Sequence, residues 1–363
     1  MRVLFITRKF LPNVGGMEIA ATKLYRTLDK HCQTKLVKCT VRSLFLPLVM
    51  PLVILKSIWL TLVWKPDIVL FQDVVMAMIA PFLAPFHKRM VVIAHGLDIT
   101  FNNGTYQRLA AYGMSKCHSI ICISRATEEE CVKRGLVNGK NLQVIPYAVE
   151  DSLHLSTDKE SLKQELSQRL DRDCSNSFIL LTVGRLVERK GVDWFCRNCL
   201  PNIVNEHEDV LYLIVGEGKL KRKVEREVHE TGLSTNVIIT GEVSLRDLRL
   251  YYNSADVFVM PNIPQSSDME GFGLVAVEAC SCGLPVVASE LEGIVEALKY
   301  GEGGVLVQSL HTDGFVEEIK SFINDEGKRV ARGSAGRDFY LREYNWENVV
   351  QSYIRFFQDV MAN

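Results

Sequence analysis

Two glutamates, Glu270 and Glu278, flank the glycine-rich stretch Gly271-Phe272-Gly273-Leu274. A helix predicted to open at Leu274 leaves the amides of its first turn free, with a partial positive charge suited to phosphate oxygens. Gly271 and Gly273 leave room for a ligand to approach the backbone, so a diphosphate fits there. One glutamate precedes this turn and the other lies inside the helix, so the pair brackets the anion site and does not form a single carboxylate dyad. Each is then able to hold a different hydroxyl-bearing part of one ligand. Upstream, the loop from Gly184 to Gly191 carries Arg185 and Lys190, two cations able to converge on phosphate from opposite sides and to stabilise a departing diphosphate. His95-Gly96 and Gly15-Gly16 complete the candidate set, the former at a strand end and the latter in a turn before a helix.

The elements that position these residues follow from hydrophobic runs. Strands are predicted at residues 3–7, 35–39, 67–71, 90–95, 119–123 and 142–146, and again at 178–183, 210–215, 237–240, 256–260 and 285–289, with helical stretches between most of them. This alternation is the rhythm of parallel sheets covered on both faces. The glycine-rich stretch follows the strand ending at Met260, and open α/β sheets bind ligands at the carboxyl ends of their strands. Beyond Gly304 to Val307 the chain reads as helices, the last an amphipathic stretch from Trp346 to Met361.

Glu270-Gly-Phe-Gly-Leu followed by Glu278-Ala, then Gly283-x-Pro285, resembles the E-x7-E motif of the retaining glycosyltransferases of family 4, which have the GT-B fold. Gly184-Arg185 followed by Lys190-Gly191 resembles that family's G-R and K-G phosphate loop, and His95-Gly96 its H-G motif. The resemblance implies two Rossmann-like domains facing a cleft, an α/β architecture in which the last helix crosses back to the first domain. It implies that Glu270 and His95 face the donor sugar, Arg185 and Lys190 the diphosphate, and Glu278 the ribose. Gly15 and Gly16 would face the cleft, Gly216 the nucleotide and Val243 the base, with Gly184, Gly271, Phe272, Gly273 and Leu274 completing the donor site. The domains expected are 1–160 with a helix at about 345–363, and 161–344. At the crossing between them Tyr147 and Ala148 stand where the family carries Asn and Gly, and a β-carbon resists positive φ, so the hinge is stiffer or bends elsewhere.

With 363 residues, 47% of them hydrophobic, and a mean hydropathy of +0.07, the chain has material for two cores. A net charge of -1 gives no electrostatic case for nucleic acid. Ten scattered cysteines and an opening strand without a leader suggest a reduced, cytoplasmic setting, peripheral to the inner membrane face in the sharper reading below. The pair Cys196 and Cys199, and the pair Cys280 and Cys282, lack the partners of a metal site and read as small hydrophobes. Asp171 and Asp173 read as a solvated loop, not a metal site. Residues 44–64 are apolar, interrupted by Pro47, Pro51 and Lys56. They read either as a sheet-covering helix or as an apolar surface resting on an anionic bilayer.

The function expected is transfer of a sugar from a nucleoside-diphosphate sugar to a hydroxyl of a glycan or lipid-linked acceptor, in cell-surface glycan or glycolipid synthesis. No metal or further cofactor is expected, because side-chain cations and helix amides meet the diphosphate. None of the matched motifs offers a general base opposite the leaving group, which points to retention of configuration. A non-catalytic sugar-nucleotide-binding subunit and a GT-B sugar-nucleotide epimerase are the alternatives.

Overall fold

The computed structural model describes the chain except residues 12–15, 42–44, 138, 140, 150, 267 and 363. Two compact units emerge. The first comprises residues 1–148, 267–272 and 344–363, and the second residues 149–266 and 273–343. The boundary therefore falls after Ala148, not near residue 160, and the short segment 267–272 belongs with the first unit. The physical reason is the helix Lys159–Leu170, whose Lys159 and Lys163 pair with Asp256 at 2.7 and 3.1 Å and so tie it to the second unit.

The first unit is built on six parallel strands, β1 (Arg2–Thr7), β2 (Gln33–Lys38), β3 (Ile68–Phe71), β4 (Met90–Ala94), β5 (Ser119–Cys122) and β6 (Asn141–Val144), in the order β2-β1-β3-β4-β5-β6. Its inner strands are apolar without alternation because both faces are covered, and Ile68 to Phe71 are fully buried. The helix Trp346–Ala362 belongs to this unit, where His31 pairs with Glu347 and Arg89 donates to the Met361 carbonyl.

The second unit has β7 (Phe178–Val183), β8 (Val210–Val215), β9 (Val237–Gly241), β10 (Val257–Met260), β11 (Val286–Glu290) and β12 (Val305–Gln308), also all parallel, in the order β12-β11-β10-β7-β8-β9. Read from the other edge this is the third, second, first, fourth, fifth and sixth strand of the unit, the order of dinucleotide-binding Rossmann sheets. Strand order reverses between β7 and β10 here, and between β1 and β3 in the first unit. Such switch points open a crevice at the carboxyl ends, where α/β sheets take ligands.

Candidate functional site

In the second unit the candidate residues come from loops at the switch point. Gly184 ends β7 and leads through Arg185, which is exposed, to Lys190, which is buried in the short turn Glu188–Lys190. Lys190 folds back across Gly184, its Cε 3.4 Å from where a Cβ on that glycine would sit. The loop after β8 is laid against it. A Cβ on Gly216 would stand 2.1 Å from the Gly184 carbonyl oxygen, so only glycine allows the two strand ends to approach this closely. Leu186 N–H donates to the Glu217 carbonyl at 2.9 Å and holds the loops together. Val243 is half-buried just before Ser244, whose side chain caps the helix Leu245–Ser254.

After β10 the chain reaches Gly273, the left-handed N-cap of the helix Leu274–Ser281, which has no side-chain cap. Its first amides are the uncapped donors that the sequence calls for. Glu278 is half-buried inside this helix, and its carboxylate accepts a hydrogen bond from the Tyr252 hydroxyl at 2.7 Å. Burial pushes the Glu278 carboxyl up to about 7, opposed by the Tyr252 hydrogen bond and the positive charge of Lys190. Glu278, Tyr252 and Lys190 thus form one electrostatic group beside the helix start. Sequence reading missed Tyr252, because nothing in a tyrosine on another helix marks it as a partner for this carboxylate.

In the first unit His95 follows β4, fixed by its backbone N–H donating to Asp98 at 2.8 Å. Both ring nitrogens are engaged. Nε2 meets the Gln72 carbonyl oxygen at 2.5 Å and must carry the proton, so Nδ1 accepts from the Tyr147 hydroxyl, also at 2.5 Å. Burial raises the Tyr147 phenol well above its ordinary pKa and keeps it a donor. The two rings stack, with centroids 5.4 Å apart and planes 7° from parallel. Tyr147 has no positive φ, and neither has Ala148. The departure from Asn-Gly therefore has a packing role, since the tyrosine ring supplies the partner of His95. Nearby Arg8 pairs with the fully buried Asp73 at 2.8 Å, while both amide atoms of the Gln72 side chain are buried without a well-formed hydrogen bond.

The segment carrying Glu270 packs on this same strand end. The place of a Cβ on Gly271 lies 2.2 Å from the His95 carbonyl oxygen, so that glycine serves close packing at His95 instead of leaving open room. Ser124, the N-cap of the helix Arg125–Lys133, donates to the Gly271 carbonyl at 2.6 Å. Phe272 is buried edge-on between Tyr147 and Tyr344. Glu270 itself is half-buried. Gly16 opens the helix Gly16–His31, and Gly15 lies outside the described residues.

Among the described residues no three His, Cys, Asp or Glu side chains group as metal ligands. All ten cysteines are free, and burial pushes the Cys199, Cys280 and Cys282 thiols up to about 12. Asp171 caps its helix in the left-handed region, and Asp173 accepts from the Ser175 amide.

The sequence matches the family model described as Glycosyltransferase Family 4 over residues 17–153 and that described as Glycosyl transferases group 1 over residues 177–325. It is 30% identical over 172 residues to a GDP-mannose-dependent alpha-(1-6)-phosphatidylinositol monomannoside mannosyltransferase of Mycobacterium tuberculosis, an alignment covering 47% of this chain and 44% of that protein. It thus spans less than half the length of that relative. A Saccharomyces cerevisiae phosphatidylinositol N-acetylglucosaminyltransferase GPI3 subunit is 25% identical over 76% of this chain and 58% of its own. In fold the chain is similar to the sucrose-phosphate synthase of Thermosynechococcus elongatus, with a TM-score of 0.80, 18% identity and coverage of 100% and 99% of the two chains. It is similar also to Anabaena HepE in complex with UDP, with a TM-score of 0.76, 19% identity and coverage of 99% and 100%.

Proposed function

We propose that the chain is a glycosyltransferase, as its matches over residues 17–153 and 177–325 support, and that it moves a sugar from a nucleoside-diphosphate donor to a hydroxyl of a glycan or lipid-linked acceptor, with retention and without a metal ion. The observation that carries this reading is the group at the second switch point. A carboxylate raised to about 7, a buried lysine and an uncapped helix start stand together on a Rossmann sheet.

Each part has a role. The uncapped amides and Lys190, with Arg185 beside them in sequence, take the diphosphate and stabilise its charge as the glycosidic bond breaks. Glu278 accepts from the ribose hydroxyls, and Gly184, Gly216, Val243, Gly273 and Leu274 approach the nucleotide by backbone. His95 and Glu270 meet the sugar, with Gly16, Gly271 and Phe272 shaping their surroundings. Because none of the matched motifs supplies a base opposite the leaving group, the departing diphosphate oxygen takes the acceptor's proton and the acceptor attacks from the leaving-group side.

A relative named as GDP-mannose-dependent and a neighbour solved with UDP make these two bases the first to compare. A thermal-shift screen of GDP, UDP and ADP names the base of the donor, since a ligand at a hundred times its Kd adds about 2.7 kcal/mol. The anomeric coupling of the product, read by NMR in the presence of EDTA, tests the rest. A β-linked product from an α-linked donor, or activity lost to EDTA and restored by Mn²⁺, overturns the mechanism.

A further inference from the structure

We propose that the solvent-facing side of the helix Leu46–Trp64 docks on the surface of a bilayer that contains anionic lipid. Leu48, Leu52, Leu55, Trp59, Leu62 and Val63 recur along the helix at spacings that place them in one stripe about 100° wide. All six are 51% to 76% exposed. The buried side of the helix, by contrast, contains Ser57 and Thr61, whose hydroxyls donate to the carbonyls of Val53 and Ser57 at 2.7 and 2.8 Å. Hydroxyls inside and leucines outside invert the pattern of a helix that faces water.

The helix does not span. Val53 and Leu60 are buried in the core over the first sheet, so one side is committed to protein. Beside it packs the helix Ala80–Leu83, and beside that the helix Gly104–Ser115. These neighbours extend the apolar surface with Phe82, Phe86, Leu109 and Tyr112, each about half exposed.

Charge identifies the occupant. From Phe45 to His118 the chain carries the exposed cations Lys56, Lys65, Lys88, Arg89, Arg108 and Lys116. Its three carboxylates there are withdrawn: Asp73 and Asp98 are buried, and Asp67 accepts from the Arg2 amide at 2.7 Å. This basic bias is local, since the whole chain has a formal charge of -1. Lys65, Lys88 and Lys116 stand just before β3, β4 and β5, so they gather at the amino ends of the strands, at the rim of the apolar face. An apolar stripe with a cationic rim matches an acyl boundary under anionic headgroups. A second copy of the chain would instead bring like charges together across a two-fold interface.

As a crossover between parallel strands the helix runs against them, so its Leu48 end lies toward the carboxyl ends that carry His95. On the transferase reading, the acceptor is then a lipid-linked molecule of the docked leaflet. The surface itself does not depend on that reading.

The test is flotation of the full chain with vesicles of phosphatidylcholine, with or without phosphatidylglycerol. The protein is expected to float with the anionic vesicles at low salt, and several-fold less with phosphatidylcholine alone or at high salt. Leu52→Glu with Trp59→Glu should abolish flotation, and Lys65→Glu with Lys88→Glu should reduce it several-fold. Both pairs should keep the wild-type circular dichroism and the wild-type thermal shift with nucleoside diphosphate. Recovery of folded wild-type protein in the bottom fraction regardless of vesicles overturns the proposal. So does a concentration-dependent dimer, seen by sedimentation, that Leu52→Glu with Trp59→Glu dissolves, because the face then belongs to a second copy. Transfer to a water-soluble acceptor, measured on the same proteins, tests the transferase reading separately.

Discussion

At the switch point of the second unit, between β7 and β10, Arg185 is exposed, the helix Leu274–Ser281 starts uncapped, and Glu278 is half-buried against a single tyrosine. Around the switch point of the first unit, between β1 and β3, Arg8 is paired with Asp73, and next to it both nitrogens of His95 are taken. Both sheets reverse strand order at such a point, yet one leaves an uncapped helix start beside a raised carboxyl while the other ties Arg8 and His95 into internal pairs. The difference separates recognition from positioning. Anion binding needs open amides and cations, whereas a histidine meant to stay in one orientation needs its partners already in place.

The largest effect is expected at Lys190. If it serves the departing diphosphate, Lys190→Ala lowers kcat by about 10²- to 10³-fold at saturating donor, the scale of removing one group that meets developing charge. Turnover close to wild type would remove the second switch point from the chemistry.

Glu278→Ala comes next. Losing hydrogen bonds between the ribose and a charged acceptor is expected to weaken nucleoside-diphosphate binding by about 1.5–3 kcal/mol. In the same calorimetric titration His95→Ala should leave the affinity unchanged. Equal losses at both positions would erase the contrast between the units.

The strands named from hydrophobic runs all appear, with ends within two residues; the inner ones are buried on both faces and write themselves as continuous apolar text, whereas the edge strands β2 and β6 are partly exposed. The glycine-rich loops were legible for the same local reason. What stayed hidden were pairings between distant segments: Tyr252 with Glu278, Tyr147 with His95, and Ser124 with Gly271. Nor did the sequence show that Gly271 and Gly216 make room for a carbonyl oxygen of the same unit, since a ligand and a neighbouring strand end ask the same thing of a glycine. The apolar run before β3 left two readings open because composition does not say which side of a helix faces the core.

A smaller effect is a pH dependence. In the free protein the Glu278 carboxyl is raised from 4.5 to about 7, so the folded state holds a proton that the unfolded chain has lost. That contribution to stability therefore fades as pH rises between those two values. Nucleotide binding runs the other way. A carboxylate that accepts ribose hydroxyls must be ionised, so affinity should fall by about tenfold between pH 8 and pH 6, with proton uptake by the free protein opposing the ligand. Titrations in buffers of different ionisation enthalpy should report a proton released on binding, and Glu278→Gln should remove that component while leaving the titration of the ligand's own phosphate. An unchanged proton count in the variant would place the raised carboxyl outside the nucleotide site.

The smallest effect belongs to Tyr147, and it sharpens the first unit's side of the contrast. Tyr147→Phe keeps a ring to stack on His95 but removes the hydroxyl that donates to Nδ1, leaving a buried acceptor without a donor at a cost of about 1–3 kcal/mol. A fall in Tm of about 2–4 °C per kcal/mol is expected for a unit of this size. Nucleoside-diphosphate affinity should not move, because no partner of the nucleotide group changes. A merely structural tyrosine would give that much, so the deciding readout is the imidazole itself. In the wild type, nitrogen chemical shifts should report a neutral ring protonated at Nε2, as the Gln72 carbonyl requires. In the variant the Gln72 carbonyl still holds the Nε2 proton while Nδ1 loses its donor, and the Nδ1 shift should move toward that of an acceptor without a hydrogen bond. If His95 meets the sugar, kcat changes with it while the donor KM stays fixed, and the conservative variant separates the two because its packing is intact. An unchanged Nδ1 shift with an unchanged kcat would show that the stacked tyrosine does not hold His95 for catalysis, and that the pairings of His95 serve the fold alone.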